Sequence, residues 1–439
     1  MKKKHHSPTV PVRRLARRTA RAALTLLTAG SAALLAACND DGEADTPDGP
    51  ARRTVLVYAA AQNSLGSGGY LRADSIEMAA GSRYLDRNDR LLLFVDDGKG
   101  GARIYRFASG GGRPETVWQR AGETCSTSPE TLREVLDWCV TAYPSEEYGL
   151  VFWSHASGWV PSTNTEYGRP LSWGVDAGTG GHGDFTADGR LGAQMNIEDL
   201  AGAIEGSAMR PLYVFFDACL MGGVETAYAL RGATDCVVAA PIQTPAAGAD
   251  YEHQVREGLF STDPADIART YFADVTDPGH AADYGNFGCA VAAIATAALP
   301  ALADATADGL PYSALAGGAD PEMGGVLAYA AYTSSSGYRP HAYDAAAAMR
   351  QLLTPDAYLR FRQALSEALL WHGVTERFYV GPGYRDYASA DPSEACGLSM
   401  FVPRTLYTAN AAACDYGDLN EAFRQTEWYR DAGWAATGW

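Results

Sequence analysis

Two spacings of apolar residues alternate along most of this chain. Short unbroken runs of β-branched and aromatic residues, bounded by polar or turn-forming ones, predict strands buried on both faces. Such runs are Thr54–Ala61, Leu91–Val95, Tyr148–Trp153, Leu212–Phe216 and Cys236–Ala240. Between them lie stretches with the three-to-four spacing of helices: Leu71–Ala80, Ser128 to about Ala142, Asn196 to about Ile204, and Gly222–Leu230. Ser128 is a good N-cap with Pro129 at the first helical position. Arg103–Phe107 and Thr116–Gln119 alternate polar and apolar residues about a glycine-rich turn, which predicts a hairpin. Unbroken apolar strands alternating with helices define an α/β fold, a mostly parallel sheet covered by helices on both faces. Reactive groups in such sheets gather at the carboxyl ends of the strands.

Beyond about Pro300 the pattern becomes alanine-rich and mainly helical, with Asp344–Leu353 and Ala357–Trp371 the clearest segments. Gly397–Val402 returns as a strand, and Asn420–Tyr429 closes as an amphipathic helix. The expected organisation is a main α/β domain over 54–300 and a C-terminal region, 301–439, packed against it.

The first residues follow a different logic. Lys2–Lys4 and the arginines from Arg13 to Arg21 precede an apolar stretch, Ala22–Ala37, of signal-peptide length. It ends in Leu35-Ala36-Ala37-Cys38, which resembles the lipobox of bacterial lipoproteins, where the cysteine is acylated and becomes the first residue. Residues 1–37 are therefore read as a lipoprotein signal peptide, and 38–53, rich in Asp, Glu, Pro and Gly, as a flexible acidic tether. The implied location is the cell envelope, lipid-anchored at Cys38 and facing the periplasm or the outside. The leader holds eight of the 35 basic residues and no acid, which leaves the mature chain at about −25. That balance excludes a basic nucleic-acid footprint.

The chain has eight cysteines. With Cys38 assigned to lipid and Cys219 to chemistry, six remain, an even number that suggests up to three disulfides in an exported protein. Proximity in sequence favours Cys125–Cys139 and Cys396–Cys414, leaving Cys236–Cys289. No C-x-x-C or H-E-x-x-H occurs, and neither a metal nor a cofactor is expected. The acidic turns at Asp184-x-x-x-Asp188-Gly189 and Asp304-x-x-x-Asp308-Gly309 are only faint matches to calcium loops.

Two segments place a reactive side chain just past a buried strand: Gly149-Leu150-Val151-Phe152-Trp153-Ser154-His155 and Leu212-Tyr213-Val214-Phe215-Phe216-Asp217-Ala218-Cys219. If the strands are parallel neighbours, His155 and Cys219 emerge together at one sheet edge. A thiol nucleophile needs a base and a setting that favours thiolate, here a helix expected to begin near Gly222. Taken singly, a cysteine or histidine after a strand is more often a core residue.

Strand–Ser154-His155-x-x-Gly158-Trp159 followed by strand–Asp217-Ala218-Cys219-Leu220-Met221-Gly222-Gly223 resembles the clostripain family of cysteine peptidases, which shares its fold with caspases. Supporting similarity lies in Val55-Leu56-Val57-Tyr58, Asn63-Ser64-Leu65, Met195-Asn196-Ile197-Glu198-Asp199-Leu200 and Gly397-Leu398-Ser399-Met400. The resemblance implies a caspase-like fold, Cys219 as nucleophile, His155 as base, and no obligatory third acid, so that Asp176 and Asp184 need no catalytic role. It implies a peptide or protein substrate cut after Arg or Lys, with Asp217 reading the basic side chain; a rival role for Asp217 is capping the next helix. The backbone amides of Ala156 and Cys219 are the candidate oxyanion hole. Ala156 stands where the family usually has glycine, which leaves room for an inactive lipoprotein using the fold as a binding module. Some relatives cut themselves after a basic residue between the histidine and the cysteine. Of Arg169, Arg190 and Arg210, only Arg190 is not followed by proline, so Arg190–Leu191 is the favoured bond.

Overall fold

The computed structural model of the chain describes residues 50–160, 172–280, 284–334, 337–380, 387–408 and 418–439. The leader with Cys38, Arg169 and Cys414 lie outside them. Among the described residues no helix is long and apolar enough to cross a membrane.

A nine-stranded sheet organises the chain. Its middle is five parallel strands in the spatial order β9 (Cys236–Ala239), β8 (Pro211–Asp217), β5 (Ser145–Trp153), β1 (Ala51–Ala60) and β2 (Asp89–Asp96). Beyond β2 comes the expected antiparallel hairpin of β3 (Arg103–Phe107) and β4 (Glu115–Gln119). Beyond β9 come two antiparallel strands, β10 (Ala290–Ala295) and β13 (Leu369–Val374).

The unbroken apolar runs have a simple cause. Leu56, Tyr58 and Ala60 of β1 pack into one core, and Val55, Val57 and Ala59 into the core on the opposite face. The first core is closed by Leu132, Val135 and Leu136 of the helix Pro129–Ala142 and by Leu200 of the helix Ile197–Glu205. The second is closed by Leu71 and Met78 of the helix Tyr70–Gly81 and by Ile267 and Tyr271 of the helix Ala265–Thr276. Each fully buried side chain of this size contributes about 1.5–3 kcal/mol, so neither face can be left open. Ser128 caps its helix by accepting from Thr131 N–H, with Pro129 at the first position, as its sequence suggests.

Several boundaries differ from expectation. β1 starts at Ala51, because the guanidinium of Arg53 is buried there on Glu147 and the carbonyl oxygens of Leu259 and Ser261. The expected helix Ala357–Trp371 stops at Ala368, and Leu369–Val374 turns into the strand that pairs with β10. The C-terminal region, rich in helices, also carries a small sheet of β11 (Ala328–Ser334), β12 (Gly337–Asp344) and β16 (Ser399–Met400).

Two suggested disulfides are ruled out by geometry. Cys125 and Cys139 are both free, and Cys139 lies on the buried face of its helix, about 16 Å of helical rise past Ser128. Cys236 pairs with Ala295, and Cys289 lies before the far end of that antiparallel strand, about 20 Å away. Cys396 is free and buried.

Candidate active site

The parallel pairing of β5 with β8 aligns Trp153 with Asp217. His155 and Cys219 therefore each follow the last paired position of adjacent strands by two residues, and both line one cleft of about 100 Å³ together with Trp153, Asp217, Thr244 and Gly248. A wider hollow of about 300 Å³, bordered by Arg350, Asp391 and Glu394, contains neither His155 nor Cys219.

Local chemistry holds the strand ends in place. Ser154 Oγ donates to Ala60 O (2.8 Å), and Val175 N–H donates to Ser154 Oγ (3.3 Å). Asn63 Nδ2 faces Ala60 O, Ser154 Oγ and Val175 O at 2.7–3.1 Å, while its Oδ1 caps the short helix Ser64–Gly68. Past the cysteine, Leu220 adopts φ 63°, left-handed backbone that costs a non-glycine residue about 1–2 kcal/mol. The turn is held by Leu220 N–H to Ile242 O and Gly222 N–H to Ala240 O, both 2.9 Å. Gly158, at φ 84°, faces it; a Cβ there would sit 2.8 Å from Leu220 O, so only glycine lets the two turns approach.

Burial pushes the Cys219 thiol above its usual range; the Thr244 hydrogen bonds pull it down and the Asp217 charge raises it further. Thr244 N–H and Thr244 Oγ1 both stand 3.4 Å from Sγ. The helix expected to favour the thiolate starts only at Val224, five residues past the cysteine, and spans six residues. Helix-end effects fade within one turn, so Thr244 supplies the polar contact that the sequence assigned to that helix.

Asp217 is buried, and its carboxyl accepts from Ala249 N–H (3.2 and 3.3 Å) and from Tyr251 OH (3.0 Å). The following helix has Gly223 at its N-cap and no side-chain cap, so the rival capping role is not what Asp217 does. Burial raises Asp217 to about 6, against the downward pull of those two donors. Behind it, Asp74 is also buried and accepts from Trp153 Nε1 (2.7 Å); burial, then the Asp217 charge, lifts its carboxyl well above the usual range. The cleft floor is thus acidic.

Ala156 does not need a glycine's backbone. It forms an antiparallel bridge with Trp173, flanked by Ser157 N–H to Ser172 O and Gly174 N–H to His155 O, both 2.8 Å. Among the described non-glycine residues only Ser172 and Leu220 have positive φ, so alanine costs nothing at 156.

The sequence did not anticipate what surrounds the imidazole. His155 Nε2 stands 2.8 Å from Ser64 Oγ and 3.3 Å from Asp184 Oδ1. Ser64 donates to the same carboxylate twice, from N–H to Oδ1 (2.9 Å) and from Oγ to Oδ2 (3.1 Å). Burial opposes ionisation of Asp184, but His155 and then Ser64 outweigh it and hold the carboxyl at about 2. Asp184 comes from the acidic turn between β6 (Trp173–Asp176) and β7 (Ala193–Met195). Arg190, in the same turn, is exposed and ion-paired with Asp188 at 2.8 Å.

A mostly parallel α/β sheet with a thiol and an imidazole past the ends of two adjacent strands supplies the two groups a cysteine peptidase needs. The sequence profile of the clostripain family matches residues 57–307. The chain belongs to the clostripain family. It is 25% identical to clostripain of Hathewaya histolytica over 201 residues, a match spanning 40% of this chain and 36% of that protein. A secreted C11 cysteine protease from Bacteroides thetaiotaomicron, solved with an irreversible peptide inhibitor, superposes with a TM-score of 0.68 at 26% identity, covering 88% of this chain and 99% of that one. An inactive zymogen C11 protease from Parabacteroides distasonis gives the same TM-score and coverage at 24% identity, a likeness of fold.

Proposed function

We propose that the chain is a cysteine endopeptidase that hydrolyses peptide bonds through Cys219 and His155, after Arg or Lys. The observation that carries this reading is the single cleft, at the ends of two parallel strands, that holds a thiol, an imidazole and a buried carboxyl together. With the peptide carbonyl against Sγ, His155 takes the thiol proton and the sulfur attacks the carbonyl carbon. The oxyanion accepts from the amides of Ala156 and Cys219, neither of which donates to a backbone carbonyl among the described residues. Collapse breaks the C–N bond, and His155 returns its proton to the leaving amine. Water, deprotonated by His155, then cleaves the thioester and restores the thiol. Asp217 pairs with the substrate's guanidinium or ammonium group at the cleft floor. The test is covalent labelling by a peptidyl-Arg electrophile together with cleavage of matched peptides carrying Arg, Lys or leucine before the scissile bond. Labelling that persists in Cys219→Ala, or leucine cleaved as well as Arg, would sink this reading.

The site would act at the cell envelope, held there by acylated Cys38. If the chain processes itself, the favoured bond is Arg190–Leu191. Its carbonyl is occupied, accepting from Thr186 N–H at 2.7 Å, so cutting requires that turn to open.

A further inference from the structure

The imidazole of a Cys/His pair must present a lone pair to the thiol and keep its proton on the other nitrogen, and its partners decide which nitrogen is which. At His155 the partners are all on the Nε2 side. Asp184 is ionised and has no proton to give. Ser64 has a single hydroxyl proton, and the ionised carboxylate, which can only accept, takes it at Asp184 Oδ2, 3.1 Å away. Ser64 Oγ can then only accept from the ring, and so can Asp184 Oδ1. The neutral ring therefore carries its proton on Nε2, and Nδ1 is left as the base. Among the described residues Nδ1 has no partner of its own.

We propose that Asp184, bound to His155 directly and through Ser64, is a positioning residue that fixes the tautomer in which Nδ1 accepts the Cys219 proton and then steadies the imidazolium. This rests on the peptidase reading above and goes beyond its two-residue machinery. The arrangement is built in. Ser64 opens the short helix capped by Asn63, the residue that also ties β1 to the turn before His155. Asp184 is held from its own backbone, since its carbonyl accepts from Gly192 N–H at 2.9 Å and Phe185 bridges both His182 and Leu191. The carboxylate thus arrives from the β6–β7 turn, the serine from the end of β1 and the histidine from the end of β5.

Nitrogen NMR of the full-length chain carrying Cys38→Ser and labelled with 15N-histidine reads the tautomer whether or not peptides are cleaved. His155 is assigned by the signal lost in His155→Ala. The wild-type neutral ring should show Nε2 protonated and Nδ1 bare. Asp184→Asn should mix the two tautomers and lower kcat by about 10²-fold, with KM moved less than about threefold. Asp184→Glu should recover part of the loss, and Ser64→Ala should cost less than Asp184→Asn. A wild-type ring protonated on Nδ1 overturns the proposal without any variant. So does an Asp184→Asn chain whose tautomer is unchanged, whatever its kcat, because the carboxylate would then only shape the turn. A chain that cleaves no peptide while its ring still carries the Nε2 proton would count against the peptidase reading alone.

Discussion

Replacing Asp217 with asparagine should move three measurements in different directions, because the carboxylate has three separate effects. As the proposed partner of a basic side chain it would supply a charge-assisted pairing worth about 1.5–3 kcal/mol. Its loss should lower kcat/KM for Arg and Lys peptides about 10- to 150-fold and leave a citrulline peptide, the neutral analogue of Arg, nearly unchanged. As a negative charge near the thiol, Asp217 raises Cys219 above its usual range, after burial and against the pull of Thr244. Asp217→Asn should therefore leave alkylation of Cys219 by iodoacetamide equal to wild type or faster. As a buried acid standing at about 6, it burdens the fold. Its native value lies above the unfolded one of about 4, so the native state binds the proton more tightly. Stability from this group is greatest below about pH 4 and falls as pH rises through about 6, by roughly 3 kcal/mol in all. Weaker hydrogen bonds from Ala249 and Tyr251 to a neutral amide take back part of that, so Asp217→Asn should gain about 1–2 kcal/mol at pH 8 and nothing at pH 4. The assays are matched peptide kinetics, timed alkylation and thermal melts at the two pH values. Equal losses on Arg and citrulline, or a variant less stable at pH 8, would refute the reasoning.

Other expectations follow from single groups. Cys219→Ala should abolish peptide cleavage with an unchanged melting temperature, and His155→Ala should lower kcat by about 10²–10⁴-fold; substantial cleavage by either variant would remove that residue from the reaction. Cys38→Ser should move the chain from the membrane pellet to the soluble fraction, and a mature mass without a diacylglycerol group would contradict the anchor. Mass spectrometry of the active enzyme should find any internal cut at Arg190–Leu191 and none in Cys219→Ala; a fully active intact chain would show that the turn needs no cutting.

The fold was legible where a single residue pattern reports burial on its own. Val55 to Ala60 face two cores alternately, so every position must be apolar and the strand announces itself. β10 was missed because Ala290-Val291-Ala292-Ala293-Ile294-Ala295 is mostly alanine, which favours helices as readily as a tightly covered strand. β13 was absorbed into the preceding helix because Leu369, Leu370 and Trp371 continue the helical spacing of Phe361, Leu365 and Ala368. Only the open edge of β10 makes them a strand, and that edge belongs to residues far earlier in the chain. Arg53 makes the same point at β1: its burial is possible because carbonyl oxygens more than 200 residues away receive the guanidinium.

The site shows the same limit at the level of single carboxylates. Cys219 and His155 could be read because each follows its own strand, and the parallel register converts sequence position into spatial position. Ser64 lies 91 residues from His155 and 120 from Asp184, and Thr244 lies 25 from Cys219, all without a periodic relation to them. Asp217 lines the cleft and Asp184 contacts His155, which also lines it, yet the two carboxyls stand at about 2 for Asp184 and about 6 for Asp217. The difference is the company each keeps. Asp217 is buried with two neutral donors, an amide and a phenol, and they do not offset the cost of burying its charge. Asp184 is less deeply buried and meets an imidazole that can become a cation, with a serine donating twice. One carboxyl is therefore held where a cationic substrate would relieve its burial, and the other where a protonated base would. Neither environment is written near its own residue in the chain, which is why sequence similarity reached Asp217, two positions before the nucleophile, and passed over Asp184.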